Sequence, residues 1–306
     1  MKVLLTGAGG FVGSHVATEL LARGHEVRAV RRPGKPSEAF AGIAHRVESV
    51  ELDLFAADAA RLDALARGGD LCIHLAWYAV PGKYLAAPEN VECVSGSLRL
   101  LRALARNGCR RAVFVGSCFE YEFLPEPLRE DGPVQPQSLY AASKLATRLM
   151  GEPLARIDGI EFAWARLFYL FGPFEDRRRL VPYVIDTLLR GEPVDVTQGT
   201  QVRDFLHVAD VASALVAIAL SKATGVVNVG SGQPVTVRQV VSTLDSLIGR
   251  PGLVRFGARP DNPTDPPHVS ADNRKLVEAT GWSPAHDLES GLKHTIEWSR
   301  AHLVAR

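Results

Sequence analysis

The sequence contains few of the residues that cross-link small or secreted proteins. Its 306 residues include only 4 cysteines. Cys72, Cys93, Cys109 and Cys118 show neither the spacing of a metal site nor that of a disulfide framework. The pattern therefore predicts no metal site. With 46% hydrophobic residues, the chain can bury a full core without cross-links, so we predict reduced thiols in a cytoplasmic globular protein.

An excess of charge and a long apolar segment are also absent. The 35 Lys and Arg residues nearly balance the 34 Asp and Glu residues, which leaves a net charge of +1. Such a chain offers no basic surface for nucleic acid or an anionic membrane. No window holds about twenty apolar residues, and the first apolar run, residues 3–5, leads into a glycine loop rather than a cleavage site. We expect no membrane or nucleic-acid partner and no processing.

The first half of the chain alternates short β-branched segments with helical patterns. This alternation is typical of βαβ units in a parallel sheet. The predicted strands are residues 2–6, 26–31, 47–52, 71–75, 111–115 and 161–168, and the predicted helices are residues 11–23, 89–107 and 140–156. After residue 173 the elements become short and scattered. We predict a doubly wound α/β domain over residues 1–170 and a smaller mixed α/β region over residues 171–306.

A glycine-rich loop lies between the first predicted strand and the first predicted helix, with the sequence Gly7-Ala8-Gly9-Gly10-Phe11-Val12-Gly13. In dinucleotide sites the first glycine permits a tight turn, the second lets the backbone approach the pyrophosphate, and the third lets helix and strand pack closely. The phosphates then lie at the helix N-terminus. A glycine-rich turn can be only a turn, but its position and order here predict cofactor contacts from Gly7, Gly10, Phe11, Val12 and Gly13.

The end of the second strand indicates which dinucleotide binds. NAD enzymes usually carry an acid there for the ribose hydroxyls, whereas this chain has Arg31 and Arg32, with Lys35 close behind. Arginine pairs well with phosphate oxygens. The pattern predicts NADP(H), although a solvated basic loop would look the same.

A tyrosine and a lysine stand four residues apart on a predicted helix. This spacing places Tyr140 and Lys144 on one face, where a cation favours the phenolate. Ser117 follows a strand at the edge of the sheet where ligands of open α/β folds bind. Taken singly, a Tyr and Lys at this spacing are often a surface pair.

Several motifs together resemble the extended short-chain dehydrogenase/reductase family, which includes nucleotide-sugar epimerases, dehydratases and 4-ketoreductases. The motifs are residues 6–13, Asp53-Leu54, residues 74–76, Ser117 four residues before Tyr121, Tyr140 to Lys144, and residues 203–205. They occur in order along almost the whole chain. The resemblance implies a Rossmann fold and a catalytic set of Ser117, Tyr140 and Lys144, with Lys144 also contacting the nicotinamide ribose.

The resemblance also implies contacts to ligands. Asp53 and Leu54 would flank the adenine, although Asp53 could equally be a helix N-cap. Leu75 and Ala76 would line the cofactor pocket after the fourth strand. Arg203 would bind the diphosphate of a nucleotide sugar, and Arg259 would lie near the nucleotide.

The chain departs from the family pattern at several positions. Cys118 and Phe119 stand where 4,6-dehydratases carry an Asp-Glu pair, so dehydration lacks its proton shuttle. Tyr169 and Cys93 each replace a familiar asparagine. We predict substrate contacts from Trp77, Ser117, Cys118, Tyr169, Arg203 and Arg259. The aromatic side chains of Trp77, Tyr78 and Tyr169 could instead belong to the core.

The resemblance is greatest to NADPH-dependent reductases of 4-keto-6-deoxy sugar nucleotides. We expect reduction of the C4 ketone, with Tyr140 as proton donor. The alternatives are a nucleotide-sugar 4-epimerase with tightly held NAD and a non-catalytic dinucleotide-sensing regulator. In the family, helices matching residues 97–107 and 140–156 form a dimer interface, so we expect a homodimer.

Overall fold

The computed structural model describes residues 1–303, with side chains described to residue 302. Its strands are β1 Lys2–Thr6, β2 Glu26–Arg31, β3 Glu48–Glu51, β4 Leu71–His74, β5 Arg111–Ser117, β6 Glu161–Leu167, β7 Tyr169–Phe171, β8 Val194–Val196, β9 Val202–Arg203, β10 Phe205–His207, β11 Gly225–Val229, β12 Val235–Thr236, β13 Val254–Phe256 and β14 His268–Val269. Its α-helices are α1 Phe11–Ala22, α2 Glu38–Ala41, α3 Ala59–Ala66, α4 Glu89–Arg106, α5 Leu139–Asp158, α6 Leu180–Leu189, α7 Val208–Leu220, α8 Val237–Ile248, α9 Arg274–Thr280 and α10 Leu288–Leu303. Short 3-10 helices cover Ala44–Arg46 and Cys118–Glu120.

A parallel sheet of seven strands forms the centre of the described chain, in the order β11-β6-β5-β4-β1-β2-β3. This confirms the predicted doubly wound α/β fold. The order reverses between β1 and β4, and in such sheets ligands bind outside the carboxyl ends of the strands at this switch point. The end of β1 leads into the predicted glycine loop.

Successive side chains of the strands point to opposite faces of the sheet, and each face has its own core. On β1, Val3 and Leu5 belong to one apolar cluster with residues of α1 and α7. Leu4, between them, belongs to a second cluster with residues of α3, α4 and β5. Both faces of the sheet are therefore covered, which explains why its strands are apolar runs rather than alternating ones.

Helix α5 carries two of the predicted catalytic residues, and its ends are well defined. The Ser138 side chain caps the N-terminus by accepting a hydrogen bond from the Ala141 backbone N–H. Gly159, with φ of 72°, ends the helix in the left-handed conformation. Its partner is α4, and the two helices pack side by side on one face of the sheet.

The smaller lobe has a third apolar cluster, built mainly from α6, α8 and α10 around short strands such as β8 and β13. The predicted boundary at residue 170 does not separate the two lobes, because later residues return to the first lobe. Helix α7 packs against α1, and β11 pairs with β6 as an edge strand of the main sheet. Residues 208–229 thus complete the first lobe from the second half of the chain. Among the described helices, none combines the length and apolar character that crossing a bilayer requires.

Candidate active site

A cleft of about 1000 Å³ runs along the carboxyl edge of the sheet between the two lobes. Its walls bring together most of the predicted site residues, which come from the ends of β1, β2, β4 and β5, from α5, and from the segment after β6. Those residues are Gly7, Gly10, Phe11, Val12, Gly13, Arg31, Arg32, Asp53, Leu54, Leu75, Ala76, Trp77, Ser117, Cys118, Tyr140, Lys144, Tyr169 and Arg203.

The glycine loop leaves no room for side chains at two of its positions. Gly7 has φ of 73°, and a Cβ there would lie 2.8 Å from the Ala76 backbone N. A Cβ on Gly13 would lie 2.1 Å from the Gly7 carbonyl oxygen. Gly10 is the N-cap of α1 and offers no capping side chain. The open backbone N–H groups at this helix start fit the pyrophosphate of a dinucleotide.

A buried hydrogen-bond chain holds the ends of β1 and β4 together behind this loop. The Thr6 hydroxyl accepts from the Ala76 backbone N–H and lies 2.6 Å from His74 Nδ1. His74 Nε2 lies 2.8 Å from the Ser97 hydroxyl, which itself donates to the Cys93 carbonyl oxygen. Ser97 must therefore accept from Nε2–H, and Nδ1 accepts from Thr6. Burial lowers the pKa of His74 to about 3, so the ring is neutral.

The basic residues at the end of β2 differ in whether a nearby acid compensates their charge. Arg31 forms an ion pair with Glu51 on β3, and its guanidinium lies 5.5 Å from the centre of the Phe40 ring. Arg32 and Lys35 are exposed at the cleft wall. The charge of Arg31 is thus largely compensated, and the cationic character of this end comes mainly from Arg32 and Lys35.

Asp53 and Leu54 lie at the same end of the cleft. The Asp53 carboxylate accepts from the backbone N–H groups of Phe55 and Ala56, at 3.2 and 3.4 Å. The N-cap of α3 is Asp58 instead, so the helix-cap alternative for Asp53 is wrong. Leu54 is buried in the core behind the cleft.

Ser117 sits at the end of β5 above a buried carboxylate. Glu120 is fully buried and accepts hydrogen bonds from the Ser117 backbone N–H at 2.8 Å and from Trp164 Nε1 at 3.0 Å. It also pairs with Arg166, whose Nε lies 2.9 Å away. Sequence reasoning missed this role of Glu120, although a Ser followed three residues later by Glu is the pattern of a capping box.

Tyr140 and Lys144 lie on the first turns of α5, next to Ser117. Burial raises the pKa of Tyr140, and a hydrogen bond with the Ser117 side chain partly opposes the shift. Burial lowers the pKa of Lys144 to about 7, with the Glu120 carboxylate acting in the opposite direction. Lys144 Nζ donates to the Val115 carbonyl oxygen at 2.7 Å. The predicted catalytic set is thus brought together in one buried corner.

Aromatic rings surround this corner. Lys144 Nζ lies 3.8 Å from the centre of the Trp77 ring, and Trp77 Nε1 donates to Asn90 at 2.7 Å. Tyr84 meets the Tyr140 ring edge to face, with centroids 4.8 Å apart. Trp77, Tyr78 and Tyr84 all line the cleft, so the first two are pocket residues rather than core residues. Nothing in the local sequence pattern singled out Tyr84.

On β9, Arg203 is buried beside Tyr169. Its guanidinium carbon lies 5.2 Å from the centre of the Tyr169 ring, and Nη2 pairs with the Asp265 carboxylate at 2.7 Å. Asp265 belongs to the loop between β13 and β14 and lies at the cleft wall. Cys118 is buried in an apolar cluster, and this burial raises the pKa of its thiol to about 12.

Two predicted or noted positions are not part of the cleft wall. Arg259 is exposed, and its guanidinium donates to the Tyr183 hydroxyl at 2.8 Å. The structure therefore does not place Arg259 where a nucleotide in the cleft would contact it. Cys93 is buried in α4, where its carbonyl oxygen accepts from Ser97.

The segment after β7 adds a half-buried acid that the sequence pattern did not reveal. Glu175 lines the cleft, and burial raises its pKa to about 8, with Arg179 opposing the shift. The preceding Phe174 has φ of 69°. Arg179 itself lies over the Tyr84 ring, 5.5 Å from its centre. Glu175 and Arg179 therefore add an acid and a cation to the same cleft as Tyr140.

The comparisons with known proteins agree with this geometry. The model of the NAD dependent epimerase/dehydratase family matches residues 3–230. The UDP-glucuronic acid decarboxylase 1 of Xenopus tropicalis is 30% identical over 99% of this chain and 73% of the relative. The UDP-glucose 4-epimerase of Azospirillum brasilense is 30% identical over 98% of this chain and 92% of the relative.

Solved structures are similar over nearly the full length. The UDP-glucose 4-epimerase of Thermotoga maritima with UDP-glucose has a TM-score of 0.87 and 26% identity, over 99% of this chain and 100% of that one. MoeE5 in complex with UDP-glucose and NAD has a TM-score of 0.86 and 31% identity, with the same coverage.

Proposed function

The chain belongs to the NAD dependent epimerase/dehydratase family, and from this membership we propose that it is a nucleotide-sugar 4-epimerase. The observation that carries the proposal is the convergence of Ser117, Tyr140 and Lys144 at one end of a cleft whose other end fits a dinucleotide. Relatives named as UDP-sugar 4-epimerases cover almost the whole chain, which supports the same chemistry at C4.

The roles of the chain's own residues follow from their positions. The Tyr140 phenolate takes the proton from the C4 hydroxyl and, as the phenol, returns it to the C4 oxygen. The Ser117 hydroxyl donates a hydrogen bond to that oxygen, and the ammonium of Lys144 lowers the cost of the phenolate. A bound nicotinamide dinucleotide supplies the acceptor and donor of hydride. Arg203 binds the diphosphate.

The test is conversion without a supplied reductant. The purified protein is incubated with UDP-glucose, UDP-galactose and UDP-glucuronic acid in turn, with and without NAD, and the sugars are separated by chromatography. Formation of the C4 epimer with no net change in cofactor supports the proposal. Failure of all three substrates to epimerise, while a 4-keto sugar nucleotide is reduced with consumption of NADPH, overturns it.

A second candidate is favoured by the cations at the end of β2. Exposed Arg32 and Lys35 suit the 2′-phosphate of NADPH, and a reductase exchanges its cofactor in every cycle. In this case the protein reduces the C4 ketone of a nucleotide-linked 4-keto-6-deoxy sugar, with Tyr140 as proton donor. One NADPH is then consumed per sugar reduced, which absorbance measures directly.

The cofactor preference has its own test. Arg32→Asp is expected to weaken NADPH binding about 10-fold or more relative to NADH, because it removes a free cation and adds a negative charge. Arg46→Asp, an exposed position outside the cleft, is the matched control. Equal affinity of the unaltered protein for NADH and NADPH contradicts a preference based on this loop.

A homodimer is the proposed assembly. Val91 on α4 and Leu149 and Met150 on α5 are each more than half exposed, at 56%, 53% and 54%, and Val91 and Met150 line one groove. Exposed apolar side chains clustered in this way are typical of interaction sites. Met150→Lys is expected to shift the mass measured by light scattering from that of a dimer to that of a monomer.

A further inference from the structure

Three histidines from separate parts of the smaller lobe meet away from the cleft. His207 ends β10, His286 lies in the loop after α9, and His294 lies on α10. The ligand atoms that the three rings offer all lie within 4.8 Å of one another. The ring centroids are 4.3 Å apart for His207 and His286 and 5.1 Å apart for His207 and His294.

A carboxylate fixes one of these rings. Asp210 is buried, and its Oδ2 accepts from His286 Nδ1 at 2.9 Å. The same carboxylate accepts from the backbone N–H groups of Ala285 and His286, at 2.7 and 3.2 Å. His286 Nδ1 is therefore protonated, which leaves Nε2 free with its lone pair. A histidine held by a carboxylate through its other nitrogen is the usual arrangement of a metal ligand.

The other two rings already share a proton. His207 Nδ1 accepts from the Ala209 backbone N–H at 3.3 Å, so its Nε2 carries the hydrogen and donates to His294 Nδ1 at 3.2 Å. Because Nδ1 accepts this hydrogen bond, it carries no hydrogen, and the His207 ring is neutral, as a metal ligand must be. To bind a metal ion, His207 Nε2 has to give up its hydrogen. The ring does so by changing to the other tautomer, which carries the hydrogen on Nδ1. The 3.3 Å hydrogen bond from the Ala209 backbone N–H to Nδ1 is then lost.

We propose that His207, His286 and His294 bind one divalent transition-metal ion, with Zn²⁺ the best fit. Three imidazoles suit Zn²⁺ and its neighbours rather than Mg²⁺ or Ca²⁺, which require oxygen ligands. Nitrogen atoms around tetrahedral Zn²⁺ lie roughly 3.4 Å apart, so a separation of 4.8 Å between ligand atoms has to shorten by about 1.4 Å. His294 is exposed, which gives the ion an entry path and a place for a water as fourth ligand.

The site would tie three elements together behind the cleft. His207 is the N-cap of α7, and His294 lies on α10, which otherwise contacts this region through apolar side chains. Gly172, next to the cleft segment, is so close that a Cβ there would lie 3.3 Å from His207 Nε2. The proposal extends beyond the proposed epimerase chemistry and differs from the expectation from sequence of no metal site.

The experiment uses untagged full-length protein that has been dialysed against EDTA. Zn²⁺ is titrated by calorimetry, and Co²⁺ is added to a parallel sample to record the visible absorption of a tetrahedral site. We expect one equivalent to bind, a visible Co²⁺ band, and a rise of roughly 3 °C or more in the thermal unfolding midpoint with excess Zn²⁺.

Variants locate the site. His286→Ala and His294→Ala, at positions that are not fully buried, are each expected to weaken Zn²⁺ binding at least 10-fold and to abolish the Co²⁺ band. His45→Ala, an exposed histidine far along the chain from the cluster, is the matched control and leaves both unchanged. Absence of Zn²⁺ binding, or binding that His286→Ala and His294→Ala leave unchanged, overturns the proposal.

Discussion

Among single residues, Glu120 links three parts of the catalytic corner. It is fully buried and receives hydrogen bonds from the Ser117 backbone, Trp164 and Arg166. A buried carboxylate with several donors is held firmly, and removal of one partner leaves an uncompensated charge. Ser117 is thereby fixed through its backbone, while its hydroxyl accepts from the Phe119 backbone N–H at 3.3 Å. The two residues after Ser117, Cys118 and Phe119, carry no carboxyl group.

Tyr140 gives the most direct test at this scale. Tyr140→Phe removes only the hydroxyl, and we expect turnover to fall by about 10² or more, the usual loss for a missing general acid or base. Binding of the dinucleotide should change little. The measurement is the steady-state rate together with a cofactor titration.

Tyr183→Phe is the matched control, because this tyrosine lies outside the cleft wall and bonds Arg259. Near-normal turnover in Tyr140→Phe, or an equal loss in Tyr183→Phe, would remove the tyrosine from the mechanism.

At the scale of elements, six of the seven strands of the central sheet were predicted, whereas β11 and the short strands of the smaller lobe were not. β1 and β2 have the predicted bounds, and β5 continues two residues further, to Ser117. Their apolar, β-branched segments lie between clear turn signals. In contrast, β9 and β12 have two residues each. Strands this short have no periodicity, because their positions depend on pairing partners far away in sequence.

In the catalytic corner, too, some residues could be predicted from the sequence and others could not. Ser117, Tyr140 and Lys144 were identified because two share one helix face and the third ends a strand. Tyr84 and Glu175 lie in irregular segments, where only the folded chain brings them to the cleft. The ion pair of Arg31 with Glu51 was also beyond prediction, since it depends on the register of β2 with β3.

The start of α1 is predicted to tolerate no added methyl group at Gly13. In Gly13→Ala the new Cβ would clash with the Gly7 carbonyl oxygen, so we expect a loss of about 1 to 3 kcal/mol in the free energy of unfolding. Dinucleotide binding should be lost as well. Gly42→Ala is the control, because Gly42 has ordinary helical φ and open space around it. Urea unfolding and a cofactor titration check both variants, and an unaltered Gly13→Ala protein would contradict the close packing.

The loop between β13 and β14 is predicted to compete with substrate. Asp265 already forms an ion pair with the guanidinium of Arg203, the residue proposed to bind a diphosphate. Asp265→Asn should therefore bind UDP about 3- to 10-fold more tightly, as expected when a competing ion pair of modest strength is removed. Calorimetric titration with UDP measures this. Asp261→Asn, in the same loop, should bind UDP like the unaltered protein, and weaker binding by Asp265→Asn would show that Asp265 helps rather than competes.

At the scale of the whole molecule, buried histidines connect stability to pH. The pKa of His74 is about 3 in the folded chain and about 6.5 in an unfolded one. Between these values the unfolded state binds more protons, so the free energy of unfolding falls as the pH falls. The slope from one such group is at most about 1.4 kcal/mol per pH unit.

His74→Gln tests this contribution, since glutamine does not titrate and keeps one donor and one acceptor. We expect the variant to be less stable than the unaltered protein at pH 7 and to lose less stability between pH 6.5 and pH 4.5. Urea unfolding at several pH values gives both slopes. Parallel curves for the two proteins would mean that His74 has an ordinary pKa in the fold.

The pairing of β11 with β6 has a consequence for how the chain folds during synthesis. β6 is complete at residue 167, but its outer edge stays open until residues 225–229 have been made. During that interval the ribosome carries a nearly finished sheet with one bare edge, and such edges invite pairing with other chains. The nascent protein is thus most vulnerable to aggregation while its sixty or so following residues, roughly three to twelve seconds of translation, are still being added.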